Sequence, residues 1–496
     1  MSAVIDLLAA RPGAAPLVTD GETVRGADDV LRMVDRLHDV LRAADRGPRP
    51  RVAVALPNGP QLAIVCLAAM AGATCAPLDP RAREGELRDA LVRLDADVLV
   101  VVAGDDASAP GRAAAVARSL GLGIVEIDAD DQLHLAEAPD RARRGDGERD
   151  DLALLLHSSG TTAAPKLIGQ PSANLAASAR SIAATLRLTP DDRCLNVMPL
   201  FHIHGLVGAL LSTVAGGGSV ECTPGFDAFA HRRRLADSAI TWSTAVPTMY
   251  QAMLLRSGAS AEPPTGRLRF VRSSSAPLPA TVWSTLEEQL GCPVLNAYGM
   301  TEASHQMTSN PLPPAARKVG TVGPGAGAQV AVLVDGRVQE DAEAEGEVVI
   351  RGPGVMAGYL APPGANDDAW VDGWFRTGDV GRLDADRYLT LVGRLKEIIN
   401  VAGEKVSPFE VEAVLLDHPA VVDVAAFAAP DDLRGECVAA AVVLRQDVST
   451  SDLRRFAAER LSRAKVPSTV VPVEALPLGP TGKVQRVRLA AQLGLG

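Results

Sequence analysis

Aromatic residues are scarce, only 3% of the 496-residue chain, so a pocket built on stacked rings has few candidates to draw on. Cysteine pairs are missing as well. The six cysteines (Cys66, Cys75, Cys194, Cys222, Cys292 and Cys437) stand apart, mostly in apolar sequence, without CxxC spacing. They read as buried thiols, which excludes a zinc knuckle and a disulfide frame. No stretch of about 18 apolar residues runs free of charge, so no membrane span is expected. The start, Met1-Ser2-Ala3-Val4-Ile5-Asp6, lacks the basic and apolar segments of a secretion signal, which points to a cytoplasmic protein. A basic excess is absent too. With a net charge of −11 the chain is a poor partner for nucleic acid. The basic cluster His231-Arg232-Arg233-Arg234 falls in a helix-like segment and reads as a solvated face.

What is present is apolar sequence, 47% of the chain, over a length that implies more than one compact unit. Val52–Leu56, Gln61–Met70, Glu84–Leu94 and Val98–Val102 alternate strand-like and helix-like patterns, the mark of an α/β fold. The polar stretch Ala138–Asp150 reads as a surface loop feeding a buried strand at Leu152–Leu156. From Val330 to Ile350 short Val-rich runs broken by Asp-Gly and Glu-Gly predict a small β-rich unit. Beyond Gly393 come a helix over Pro408–Leu416, strands over Val421–Phe427 and Ala439–Leu444, and a helix over Ser451–Leu461. The expected organisation is a large N-terminal α/β domain, residues 1–392, and a small α+β C-terminal domain, residues 393–496.

Directly after the buried strand stands Ser158-Ser159-Gly160-Thr161-Thr162-Ala163-Ala164-Pro165-Lys166. Hydroxyls, a glycine permitting close backbone approach and a lysine suit a phosphate-binding loop. It lacks the GxxxxGK[ST] spacing of the P-loop, and alone it would be an ordinary Ser/Thr-rich turn. Four further segments follow: Asn296-Ala297-Tyr298-Gly299-Met300-Thr301-Glu302, Thr377-Gly378-Asp379, Gly393-Arg394-Leu395-Lys396-Glu397 and Pro480-Thr481-Gly482-Lys483-Val484-Gln485-Arg486. In this order they resemble the adenylate-forming superfamily of acyl-CoA synthetases, luciferases and peptide-synthetase adenylation domains, over nearly the whole chain.

The resemblance implies ATP-dependent activation of an acid as its acyl-AMP, with Mg²⁺ held by Glu302 and Thr301 beside it on the phosphate. Attack at the α-phosphate concentrates negative charge, so preorganised cations are needed there. The resemblance gives that task to Lys483. It also places Tyr298 against adenine, with Ser275, Ala276 and Pro277 on the other side, Asp379 on both ribose hydroxyls, and Arg394 on the ribose or phosphate. Lys396 would be the hinge about which a mobile C-terminal domain turns between two reactions, and Gly403 would line a CoA tunnel.

Met198-Pro199-Leu200-Phe201-His202-Ile203-His204-Gly205-Leu206, Glu302–Met307, Ser309–Pro313 and Gly403–Glu412 are more specific and are most similar to the oxalate–CoA ligase family. Ser274, His204 and His305 could supply polar donors to a small anionic acid, where a long acyl chain would need an apolar tunnel. A histidine beside apolar sequence is more often structural. Asn400-Val401-Ala402-Gly403 departs from the Arg-Gly-Gly that follows the asparagine in that family, altering the region expected to meet CoA. Two other readings follow: ATP-dependent nitrite activation for diazotisation of an arylamine without CoA, and a nonenzymatic nucleotide-binding homologue.

Overall fold

The apolar runs become the interiors of two eight-stranded sheets. A computed structural model describes residues 2–45, 49–104, 109–140, 151–158, 165–257, 264, 266–340, 343–431, 433–477 and 484–495. Ser159, Gly160, Thr161, Thr162 and Lys483, and most of the polar stretch before Asp151, lie outside the described residues. The first sheet has the strand order Tyr359–Ala361, Leu167–Pro171, Leu152–His157, Thr74–Pro77, Arg51–Val54, Val98–Val102, Gly123–Ile127, Leu133–Glu137. Its central strands are parallel, and Val98–Val101 are buried. That is why they read as unbroken apolar runs rather than as alternating ones.

The second sheet runs His305–Ser309, Val294–Met300, Phe270–Ser273, Trp242–Ala245, Arg193–Asn196, Ser219–Cys222, Pro16–Thr19, Val24–Gly26. Helix Pro60–Gly72 packs against strands of both sheets, and every residue from Leu62 to Ala71 is buried. A helix apolar on all sides requires such a position. Proline at its start and Gly59 as N-cap open it cleanly.

The predicted β-rich unit is a six-stranded sheet, with Gln329–Val334, Glu345–Arg351 and Trp374–Leu383 as antiparallel neighbours. Leu389–Arg394 also pairs with Trp374–Leu383, so this strand runs across position 392. The C-terminal segment forms a five-stranded sheet in which Val421–Asp431 pairs with Gly435–Leu444, flanked by helices Pro408–Leu416 and Thr450–Ala458. All six cysteines are free and buried.

One expectation needs correcting. Helix Ala228–Leu235 does carry the basic cluster, but His231 is buried, its ring 5.5 Å from that of Phe226 and 6.1 Å from that of Tyr250. The periodicity of a short helix turned this ring inward, while charge counting grouped it with its arginine neighbours.

Candidate active site

The parallel strands of the second sheet end on one edge, where ligands of open α/β sheets bind. Ser274 to Pro277 follow the strand Phe270–Ser273, and Thr301–Ala303 form a short 3₁₀ turn directly after Val294–Met300. Gly299 is required there, because a Cβ would stand 2.0 Å from the His305 carbonyl oxygen.

On the phosphate side, the ends of the Ser158–Lys166 loop are tied together. Ser158 N–H donates to the Lys166 carbonyl at 2.8 Å, and Lys166 N–H donates to Ser158 Oγ at 3.0 Å. The Lys166 ammonium sits 3.9 Å from the centroid of the Tyr359 ring. The Tyr359 hydroxyl in turn donates to Glu302 Oε1 at 2.9 Å. Burial pushes the Glu302 carboxyl up, opposed by the Tyr359 hydrogen bond and by the charges of Arg394 and Lys166. Burial lowers the proton affinity of Lys166, Glu302 opposes this, and Lys396 adds to it, so Lys396 lies within the field of Lys166. Gln170 Nε2 fixes the Thr301 carbonyl at 2.7 Å. Among the described residues no cluster of three or more histidine, cysteine or carboxylate groups could cage a metal. One buried carboxylate suits Mg²⁺, which takes most of its ligands from phosphate and water.

On the nucleoside side, Asp379 faces Arg394 across the antiparallel pair Trp374–Leu383 and Leu389–Arg394. Arg394 Nε meets Asp379 Oδ1 at 2.8 Å, and the Tyr298 hydroxyl donates to Asp379 Oδ2. Burial and the Asp379 charge push the Tyr298 phenol well up, leaving it a neutral donor. Asn296 Nδ2 holds the Thr321 carbonyl at 3.1 Å, and Ala297 is buried beside it. Ser275 adopts φ +76° and is half-buried, with Ala276 and Pro277 exposed next to it.

The acid side is built on a π-helix, His204–Leu211, a form often found at functional sites. His204 Nε2 lies 2.7 Å from Thr244 Oγ1, and its Nδ1 lies 3.1 Å from Ser275 Oγ. The His305 ring stands 5.1 Å from that of His204, on a backbone with φ +104°. Gly208 makes room for it: a Cβ there would lie 2.8 Å from His305 Nε2. Burial, Arg272 and His204 drive His305 well below the ordinary histidine range, so it is neutral. Ser274 Oγ is buried without a hydrogen-bond partner among the described residues.

In the C-terminal segment Lys396 is exposed, whereas its neighbour Glu397 is buried and meets Arg486 Nη1 at 3.3 Å. Arg486 also pairs with Glu412 at 2.8 Å. Gly403, at φ +91°, sits in the hairpin between Ile399–Val401 and Glu404–Val406. Sequence reasoning missed two residues that the fold brings into this region, Tyr359 and Arg272. Tyr359 lies 57 positions from its partner Glu302, and Arg272 is an arginine inside an otherwise ordinary strand.

Comparison with known proteins agrees with this layout. The model of the AMP-binding enzyme family matches residues 8–360, and that of the AMP-binding enzyme C-terminal domain matches residues 410–483. An oxalate–CoA ligase of Arabidopsis thaliana is 41% identical over 92% of this chain and 92% of its own length. A sulfoacetate–CoA ligase of Cupriavidus necator is 37% identical over 90% of this chain and 88% of its own. The crystal structure of ATP-bound MatB from Rhodopseudomonas palustris superposes with a TM-score of 0.88, at 28% identity and 99% coverage of both chains. Among the described residues no helix is long and apolar enough to cross a membrane. The two family models together span most of the chain, and with these relatives they settle its family: the chain belongs to the AMP-binding enzyme family, as an ATP-dependent, AMP-forming acid ligase.

Proposed function

We propose that this AMP-forming acid–CoA ligase activates oxalate, or a dianion equally compact, and transfers the acyl group to CoA. The observation that carries this reading is the buried pair His204 and His305, 5.1 Å apart, with His204 against Ser275 and the unpartnered hydroxyl of Ser274 on the residue before it. Short polar donors fixed by the sheet and by the π-helix suit a small anion. The likeness to ligases of oxalate and sulfoacetate supports it.

In this reading Ser158, Ser159, Gly160, Thr161, Thr162 and Lys166 hold the outer phosphates of ATP. Tyr298 and the Ser275-Ala276-Pro277 segment enclose the adenine, between Asn296, Ala297 and Gly299 at the strand end. Asp379 receives the ribose hydroxyls, and Arg394 holds that carboxylate in place. Mg²⁺ held by Glu302 would neutralise phosphate charge, with Thr301 beside it. A carboxylate oxygen of the acid attacks the α-phosphorus and the bond to pyrophosphate breaks, while Lys483 offsets the charge between acid and phosphate. The C-terminal domain, residues 393–496, then turns about Lys396 and brings the Gly403 hairpin to the CoA channel. The CoA thiolate attacks the acyl carbon and AMP leaves.

The test is pyrophosphate release from ATP and Mg²⁺ with oxalate, malonate, sulfoacetate, acetate, a long-chain fatty acid and nitrite, each with and without CoA. Release with oxalate and a thioester with CoA is the expected result. Release with the fatty acid but not oxalate would sink the reading, and release with nitrite alone, indifferent to CoA, would move the chain to diazotisation.

A further inference from the structure

Arg272 lies in the middle of the second sheet, on a strand flanked by Trp242–Ala245 and Val294–Met300, and it is 0% exposed. Its Nη2 donates to Gln306 Oε1 at 3.0 Å and stands 3.5 Å from His305 Nδ1. Its Nε and Nη1 have no hydrogen-bond partner among the described residues. No carboxylate among them lies within ion-pair distance, and burial is the largest influence on its proton affinity, lowering it. Burial brings its pKa down to about 10, still charged at neutral pH.

A buried guanidinium without a counter-anion is expensive, and native proteins rarely keep one without a use. Its polar neighbours are Gln306 and His305, the second a residue of the acid pocket assigned above. His305 stands between Arg272 and the π-helix, and with Nδ1 facing an obligate donor its proton belongs on Nε2, the edge that faces the space left by Gly208. His305 therefore lies between this fixed positive charge and His204, whose ring is 5.1 Å from its own.

We infer that Arg272 is the counter-cation for the second anionic group of the substrate, acting beneath and through His305, and that it sets a preference for dianions over monoanions. The inference rests on the acid pocket assigned above and deepens it. The carboxylate that reacts needs only Lys483 and the magnesium side, whereas the group that remains unreacted needs a charge of its own. Oxalate and sulfoacetate share that second anionic group. Oxamate, an oxalate in which one carboxylate is a neutral amide, has the same shape and lacks it.

The experiment compares kcat/KM for oxalate and for oxamate in ATP–pyrophosphate exchange, for the unaltered enzyme, Arg272→Met and Gln306→Glu. Loss of a buried charge pair predicts that the oxalate-to-oxamate ratio falls roughly a hundredfold in Arg272→Met, through the KM of oxalate, with oxamate changed severalfold at most. The thermal midpoint should hold or rise, because an apolar side chain replaces an uncompensated charge. Gln306→Glu leaves Arg272 in place but gives it an internal carboxylate, at the cost of the hydrogen bond that Gln306 Nε2 donates to the Ala326 carbonyl at 3.1 Å, and should lose the same preference. An unchanged ratio in both variants, or equal losses for both acids with a lower midpoint in Arg272→Met, would reduce Arg272 to a brace for Gln306. If the unaltered enzyme ignores oxalate, the acid assignment fails separately, and the same ratio is read for malonate against its monoamide or for sulfoacetate against acetate.

Discussion

Tyr359 stands between the two charges proposed to serve the phosphates, its ring under the Lys166 ammonium and its hydroxyl on Glu302. The two contacts are separable. Tyr359→Phe keeps the ring and removes the hydrogen bond, and Tyr359→Leu removes both. A hydrogen bond to a charged group contributes about 1.5 kcal/mol or more, so kcat/KM for ATP should fall roughly tenfold in the phenylalanine variant and further in the leucine variant. The loss in Tyr359→Phe should shrink at high Mg²⁺, since the carboxylate it frees is the one proposed to hold the metal; pyrophosphate exchange across a magnesium series measures this. Residues such as Tyr359 and Arg272 were invisible in the sequence because their meaning is a distant partner. Glu302, Asp379 and Lys166 could be singled out because each lies within a short motif that carries the family resemblance.

At the scale of elements, the hairpin joining Ile399–Val401 to Glu404–Val406 carries two positive φ values, +51° at Ala402 and +91° at Gly403. A two-residue turn with both centres left-handed matches strand twist and favours Asn-Gly or Gly-Gly. Gly403 is suited to it, and Asn400 Oδ1 accepts from its N–H at 3.0 Å. Ala402 is not. Ala402→Gly should therefore stabilise the C-terminal segment by about 1 kcal/mol, read as a higher urea midpoint at unchanged slope. If the midpoint falls, chain entropy outweighs the relieved strain. The departure visible in the sequence at this turn is thus a backbone cost as well as a change of side chain. The π-helix His204–Leu211 was not legible, because its apolar residues satisfy any buried helix and the extra residue per turn leaves no compositional trace. Strands such as Val98–Val102 were legible, since burial on both faces writes itself as an unbroken apolar run.

For the molecule as a whole, buried neutral histidines set the acid limit. Burial lowers His231 to about 4, and both of its ring nitrogens lack hydrogen-bond partners among the described residues. Unfolded, it titrates near 6.5, so between about 6.5 and 4 the unfolded chain binds a proton that the folded one refuses. Stability is full above that window and is lost as pH falls through it, by up to about 3 kcal/mol from this residue. His231→Phe, packed between Phe226 and Tyr250, should flatten the fall by about one proton, measured as denaturant midpoints from pH 7 to 4; an unchanged slope would assign the acid limit elsewhere. The α/β layering was readable from the alternation of patterns, but strand order was not, because order is decided by which apolar faces meet. A constraint on the enzyme's future also follows from the clearance at Gly208. That wall is already at its smallest, and any side chain added there collides with His305. A lineage drifting toward bulkier acids would have to surrender His305 before residue 208 could vary, so the order of those mutations is fixed by a single missing methyl group.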